Sequence, residues 1–229
     1  MPEYISKDVL IPSIKFSVDF KSIRGQTLAK KALEISAAGG HNCLLNGVPG
    51  SGKTLLSKAF KGILPPPSVE EALEITKVYS IAGLLDLDKP YLATRPYRNP
   101  HDTISHVALV GGGSNLKPEE ITLANKGVLF LDELPEFEVR SIETLRQPLE
   151  EKVVTISRST GTVEYPADFI LLAAMNPCKC GYSGDKIKEC ICTSRQVQEY
   201  KKRISGPILD RFDLQVWVES RPKRFNSKY

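Results

Sequence analysis

With 229 residues, 41% of them apolar and 25% charged, the chain can bury a full core and reads as one large folded domain rather than a disordered or fibrous one. Its net charge is only +4, from 31 Lys and Arg against 27 Asp and Glu, which is compatible with a nucleic-acid partner without demanding one. Met1 to Asp8 is polar and no run approaches the ~20 apolar residues of a membrane helix. The expectation is therefore a cytoplasmic chain with no membrane partner, its five cysteines not joined as disulfides.

Residues 1–21 alternate weakly, hold two prolines and read as an extended lead-in. Thr27 to Ala38 has helical spacing and stops at Gly39-Gly40. Asn42 to Leu45 is a short apolar strand and Leu55 to Lys61 a helix. Between them, Gly47 to Thr54 reads G-V-P-G-S-G-K-T and satisfies the phosphate-binding pattern G-x-x-x-x-G-K-[ST], with strand, loop and helix in the required order. Along Gly47, Val48, Pro49, Gly50, Ser51 and Gly52, the glycines let backbone N–H groups approach phosphate oxygens. Lys53 reaches the terminal phosphates, and the Thr54 hydroxyl takes a place on Mg²⁺.

Pro65 to Pro67 breaks the chain, and Ser68 with Glu71 has the spacing of a capping box opening a further helix. Leu84 to Lys117 is poor in regular signals and reads as a functional insert. Its basic and aromatic residues Tyr91, Arg95, Tyr97 and Arg98 offer either a DNA-backbone contact or a solvated surface. Val128 to Leu131 is apolar throughout, as a buried parallel strand requires. Glu138 to Leu149 reads as one helix, Lys152 to Ser157 with Thr162 to Tyr165 as a hairpin, and Phe169 to Ala173 and Leu214 to Val218 as further strands. This alternation predicts a three-layer α/β/α fold around a parallel sheet, spanning residues 22–220. Residues 221–229 form a basic tail, read as a solvated terminus or a linker.

The strand V-L-F-L ends in Asp132 and Glu133. The first carboxylate is suited to the metal that Thr54 holds, the second to polarising an attacking water. A third strand ends at Asn176, whose neutral amide can hold that water or touch the γ-phosphate. Arg211 is expected to be exposed at a helix end, where it could enter a neighbouring copy's site and neutralise phosphate charge; Arg203 is the competing candidate. A surface salt bridge to Asp210 or Asp213 is the other reading of Arg211. Cys178-x-Cys180 and Cys190-x-Cys192 bracket a polar loop and suit a structural Zn²⁺, with free thiols and a redox disulfide as alternatives. Such a loop is expected to position Arg203 and Arg211. Cys43 reads as core.

The phosphate loop, V-L-F-L-D-E-L-P-E-F, L-R-Q-P-L-E, A-A-M-N-P-C-x-C-G and R-I-S-G-P-I-L-D-R-F-D together resemble the magnesium-chelatase-like AAA+ ATPases of the YifB/ComM type, from about Phe20 to Val218. The resemblance implies a P-loop AAA+ core with Walker A at Gly47 to Thr54, Walker B at Asp132 and Glu133, sensor 1 at Asn176 and a trans arginine finger at Arg211. It implies ATP and Mg²⁺ as cofactors, hexameric rings, an insert near the central pore and action on DNA in branch migration and natural transformation. Full members also carry an N-terminal Lon-like domain and a C-terminal helical lid, which this chain is expected to lack. The chain departs from the family pattern at His101-Asp102, at Pro118 to Ile121 and at Lys179 between the first two cysteines. Two other functions compete with a DNA motor: a magnesium chelatase subunit coupling ATP to metal insertion, and a nucleotide-responsive assembly module with little hydrolysis.

Overall fold

The computed structural model describes residues 18–86, 91–112, 116–159 and 161–220, so most of the lead-in and the whole basic tail lie outside the described residues. Five parallel strands form the central sheet: β1 (Cys43–Gly47), β2 (Tyr97–Arg98), β3 (Val128–Leu131), β6 (Ile170–Met175) and β7 (Leu214–Val218), in the order β2-β3-β6-β1-β7. A separate antiparallel hairpin pairs β4 (Val153–Arg158) with β5 (Gly161–Pro166).

The apolar runs noted in the sequence follow from both sheet faces being covered. Val128, Phe130, Leu172 and Ala174 point into one core, shared with α1 (Thr27–Gly39) and α2 (Lys53–Phe60). Their neighbours Leu129, Leu131, Leu171, Ala173 and Met175 point into the other. That second core takes in α4 (His106–Val110), α5 (Glu120–Leu123), α6 (Val139–Glu143), α7 (Arg146–Glu151) and the hairpin. It also receives Tyr200 of α8 (Ser194–Lys201) and Ile208 of α9 (Gly206–Leu209). A strand buried on both sides has no polar face to alternate with, so it reads as unbroken hydrophobicity.

Local chemistry fixes the helix ends. Gly40 in the left-handed region closes α1 by donating its N–H to the Ser36 carbonyl. Ser68 and Glu71 exchange both bonds of the capping box that opens α3 (Val69–Ala82). The single helix expected over Glu138 to Leu149 is instead two short ones. Pro148 sits within the first turn of α7, where its missing N–H is tolerated, but in an uninterrupted helix its ring would strike the carbonyl four residues back.

Among its described residues, the stretch from Leu84 to Lys117 forms two short elements. Tyr97 and Arg98 form β2 by pairing with Val128 and Leu129, while α4 starts on the Ser105 hydroxyl, which accepts from the Ala108 N–H. Arg95 and Arg98 are not free for a DNA backbone: Arg95 grips Glu71 and the carbonyls of Pro65 and Lys126, and Arg98 is paired with Glu120. Tyr97 stacks on Phe130 at 6.2 Å between ring centroids.

Asn42 fastens the N-terminal end of β1. Its Oδ1 accepts from the Leu171 N–H at 2.8 Å and its Nδ2 donates to the Arg211 carbonyl at 2.9 Å, so one side chain ties β1 to β6 and to the approach to β7. Asn42→Ala would strand two backbone groups at once. Urea titration is expected to show a loss of about 2 kcal/mol; an unchanged midpoint would mean that water replaces the amide at no cost.

Candidate functional site

The strand order decides where the site lies. β1 is flanked by β6 and β7, and β6 in turn by β3, so the C-terminal ends of β1, β6 and β3 are consecutive along one edge. In parallel α/β sheets that edge is where ligands bind. The phosphate loop leaves β1, Asp132 and Glu133 leave β3, and Asn176 leaves β6.

Those ends enclose a cleft of about 290 Å³ lined by Pro49, Gly50, Gly52, Lys53, Thr54, Leu55, Asp132, Glu133, Met175 and Asn176. Gly47, Val48 and Ser51 lie buried behind it. Gly52, at φ +97°, turns the chain into α2 in a conformation that a side chain would oppose. Lys53 is buried, and its Nζ donates to the carbonyls of Gly47 at 2.6 Å and Val48 at 3.1 Å and to Asn176 Oδ1 at 3.1 Å. Burial holds its pKa below the usual lysine range, while the charges of Asp132 and Glu133 pull it back up. The Thr54 hydroxyl donates to Asp132 Oδ2 at 2.7 Å.

This donor set fits a triphosphate with its magnesium. Thr54 and Asp132 present an alcohol and a carboxylate oxygen side by side, the hard ligands that Mg²⁺ prefers, and the Lys53 ammonium lines the same cleft. Glu133 has φ +54° and ψ +45°, which is costly for a residue with a side chain, and its exposed carboxylate borders the cleft.

Arg211 stands elsewhere. It is half-buried, not exposed as the sequence reading had it, and its guanidinium pairs with Glu150 rather than with Asp210 or Asp213. It is not among the residues lining the cleft. Arg203 is exposed, with one long contact to the Phe137 carbonyl at 3.5 Å. His101 is solvated and pairs with Asp102 at 2.7 Å.

The four loop cysteines come together. Their sulfurs all lie within 4.8 Å of one another, with Cys178–Cys180 at 3.4 Å, Cys178–Cys190 at 3.7 Å and Cys180–Cys190 at 3.6 Å. These are free thiols placed so that they could hold a metal ion. The Ser183 N–H donates to Cys178 Sγ, and the Tyr182 N–H draws the Cys180 thiol down to about 6 against the opposing effect of burial. Cys43 is core, its thiol pushed up to about 12 by burial.

Two site features had no sequence signal. Gln26, in a left-handed conformation at the start of α1, donates to the Ser51 carbonyl at 3.1 Å and the Glu219 carbonyl at 2.8 Å, bracing the phosphate loop against β7. A larger cavity of about 770 Å³ lies between α4, α6, α7 and the hairpin, with Arg140, Arg146 and Arg158 in its lining.

Residues 19–225 match the model of the family "Magnesium chelatase, subunit ChlI". The chain belongs to this family. It is 44% identical to the protein YifB of Salmonella typhimurium over 98% of its own length, and 45% identical to the competence protein ComM of Haemophilus influenzae over 96%. It spans only 44% and 43% of those relatives. The AAA+ fold also matches NtrX from Brucella abortus, solved in complex with ATP, with a TM-score of 0.54 at 16% identity over 87% of this chain and 39% of that one. Among the described residues no helix is long and apolar enough to cross a membrane.

The left-handed Glu133 gives a test of whether the site costs stability. Glu133→Gly should stabilise the fold by about 1 kcal/mol, because glycine adopts this conformation freely. Chemical denaturation that shows no gain would mean the turn carries no strain.

Proposed function

We propose that this chain is the ATP-hydrolysing core of a motor that works on DNA as a ring of identical copies, with residues 22–220 as the core and about 84–117 as its insert. The observation that carries the reading is the convergence of Lys53, Thr54, Asp132, Glu133 and Asn176 on one cleft from three adjacent strand ends. In this reading Gly47 to Thr54 cradle the phosphates of ATP, and Thr54 and Asp132 hold Mg²⁺. Glu133 is the base that activates water, and Asn176 orients that water or the γ-phosphate.

Arg211 acts in trans. Its absence from its own cleft lining leaves room for a role in an adjoining copy's site, and the family's rings, hexameric by resemblance, would supply that neighbour. DNA as substrate is supported by the name of the relative from Haemophilus influenzae, a competence protein, and by the arginine-bearing cavity beside the hairpin. The cysteine cluster holds Zn²⁺. A tetrahedron of sulfurs about 2.3 Å from zinc has edges of about 3.8 Å; the three edges among Cys178, Cys180 and Cys190 are 3.4–3.7 Å, and Cys192 Sγ lies within 4.8 Å of the others.

ATPase assays over a range of protein concentrations test the motor and the ring together. The rate per chain should rise with concentration, and forked or four-way DNA should raise it further. A slowly hydrolysed ATP analogue should enlarge the particle mass. A rate independent of concentration would refute a site shared between copies.

Two variants separate the roles. Glu133→Gln is expected to bind ATP normally and stop turning over; normal hydrolysis would end its assignment as the base. Arg211→Ala is expected to keep nucleotide affinity and lose about a thousandfold in rate in the assembled ring. An undiminished rate would remove Arg211 from the site.

A further inference from the structure

The cysteine loop touches the nucleotide cleft directly. Gly181, one residue beyond Cys180, has φ +89°, and a Cβ added there would fall 2.5 Å from Pro49 Cγ and 2.6 Å from Pro49 Cδ. The backbone of the loop is thus pressed against a residue that lines the cleft. At its other end the loop starts from the same cleft, since Cys178 follows Asn176 and Pro177 and the Asn176 amide accepts from Lys53.

The far side of the loop is pinned as well. The Ser220 hydroxyl donates to Asp185 Oδ1 at 2.8 Å, just past β7, and the neighbouring Glu219 carbonyl accepts from Gln26, which also holds Ser51. A closed circuit therefore runs from the sulfurs through Gly181 to the phosphate loop, and back through Gln26, the end of β7 and Asp185. The route from the cysteines to Arg203 is longer. It follows α8, whose capping residue Thr193 comes after Cys192.

Little apolar packing holds this loop. Nine residues separate Cys180 from Cys190; Ile187 among them and Ile191, between the last two cysteines, face outward, 63% and 86% exposed. A polar loop with its hydrophobic side chains in solvent gains little from burial, so bonds at the sulfurs would add substantially to the order that the Gly181 and Asp185 contacts supply.

We propose that the four-thiolate site is a metal-dependent brace of the nucleotide site: zinc bound by Cys178, Cys180, Cys190 and Cys192 holds Gly181 on Pro49 and Asn176 beside Lys53, so that zinc and nucleotide bind with positive coupling. The proposal rests on the zinc and ATP readings above and adds the linkage between them. Because such coupling is reciprocal, metal removal weakens nucleotide binding by the same factor by which nucleotide tightens the metal.

The test uses the full chain purified without chelator. Elemental analysis should find one zinc per chain. A fluorescent ATP analogue with Mg²⁺ should bind about tenfold more weakly after a zinc-selective chelator has stripped the metal, and MgATP should protect the zinc from that chelator by a similar factor. Circular dichroism checks that the stripped protein remains folded. The double variant Cys190→Ser with Cys192→Ser leaves the residues next to Asn176 intact and should reproduce the weakened nucleotide binding. Gly181→Ala keeps every sulfur, and should keep its zinc while binding nucleotide less tightly.

The failures are distinguishable. Stoichiometric zinc with identical nucleotide affinity before and after stripping overturns the coupling and leaves the zinc reading standing. A chain without zinc overturns the zinc reading and the brace together. A zinc-loaded chain that binds no nucleotide overturns the ATP reading, and the coupling falls with it.

Discussion

A buried ammonium is the point on which the site turns. Lys53 sits out of water with acceptors on two carbonyls of its own loop and on Asn176, which follows a strand more than a hundred residues later in the chain. A cation so placed must be paired, because removal from water penalises its charge. The pairing joins the phosphate loop to the end of β6, and the two carboxylates at the end of β3 add opposing charge that partly offsets the effect of burial on the ammonium. The arrangement is possible only because β1, β6 and β3 are neighbours in the sheet. Had β6 paired outside β3, Asn176 would stand a strand's width away and the ammonium would lack its third acceptor.

Features governed by nearby residues were legible in the sequence. The phosphate loop, the capping box at Ser68, the Gly40 stop and the hairpin all appear where their local chemistry predicted them. The apolar strands were equally clear, since burial on both faces leaves no ambiguity in composition. Elements made by tertiary contact were not legible. β2 is two residues long and exists because Tyr97 and Arg98 lie against β3, beside Gly127, where a Cβ would collide with the Pro96 carbonyl. The helical pattern over Glu138 to Leu149 was real, but Pro148 divided it. Arg95 and Arg98 looked like surface cations because their partners Glu71, Pro65 and Lys126 in one case, and Glu120 in the other, come from other elements.

The same distinction separates the parts of the site. Lys53, Thr54, Asp132, Glu133 and Asn176 announced themselves because each terminates a strand or opens a helix beside it. Gln26 did not: its amide serves carbonyls 25 and 193 residues away, and no local pattern marks such a role. The cysteine spacing predicted a cluster but not its neighbour. Only the fold puts Gly181 on Pro49, a contact between the loop and the phosphate loop that no spacing of cysteines could announce.

Arg211 shows how a residue can be fixed and still available. Its carbonyl is held by Asn42 at the base of the sheet, so its backbone is anchored, whereas its Nε is buried with no hydrogen-bond partner to hold it. The tip instead pairs with Glu150, whose carboxyl it holds below the usual carboxylate range by a hydrogen bond and by charge. Glu150 lies in the L-R-Q-P-L-E segment, in α7, which ends at Glu151 where the chain turns into the hairpin. An ion pair in contact with water is a weak tether, because solvent screens its attraction. A phosphate bearing more charge and more acceptor oxygens competes effectively for the same guanidinium. In the proposed ring, Glu150 would therefore aim the arginine without trapping it, and the exchange of a carboxylate for a neighbour's phosphate would couple nucleotide arrival in one copy to the position of α7 in the next.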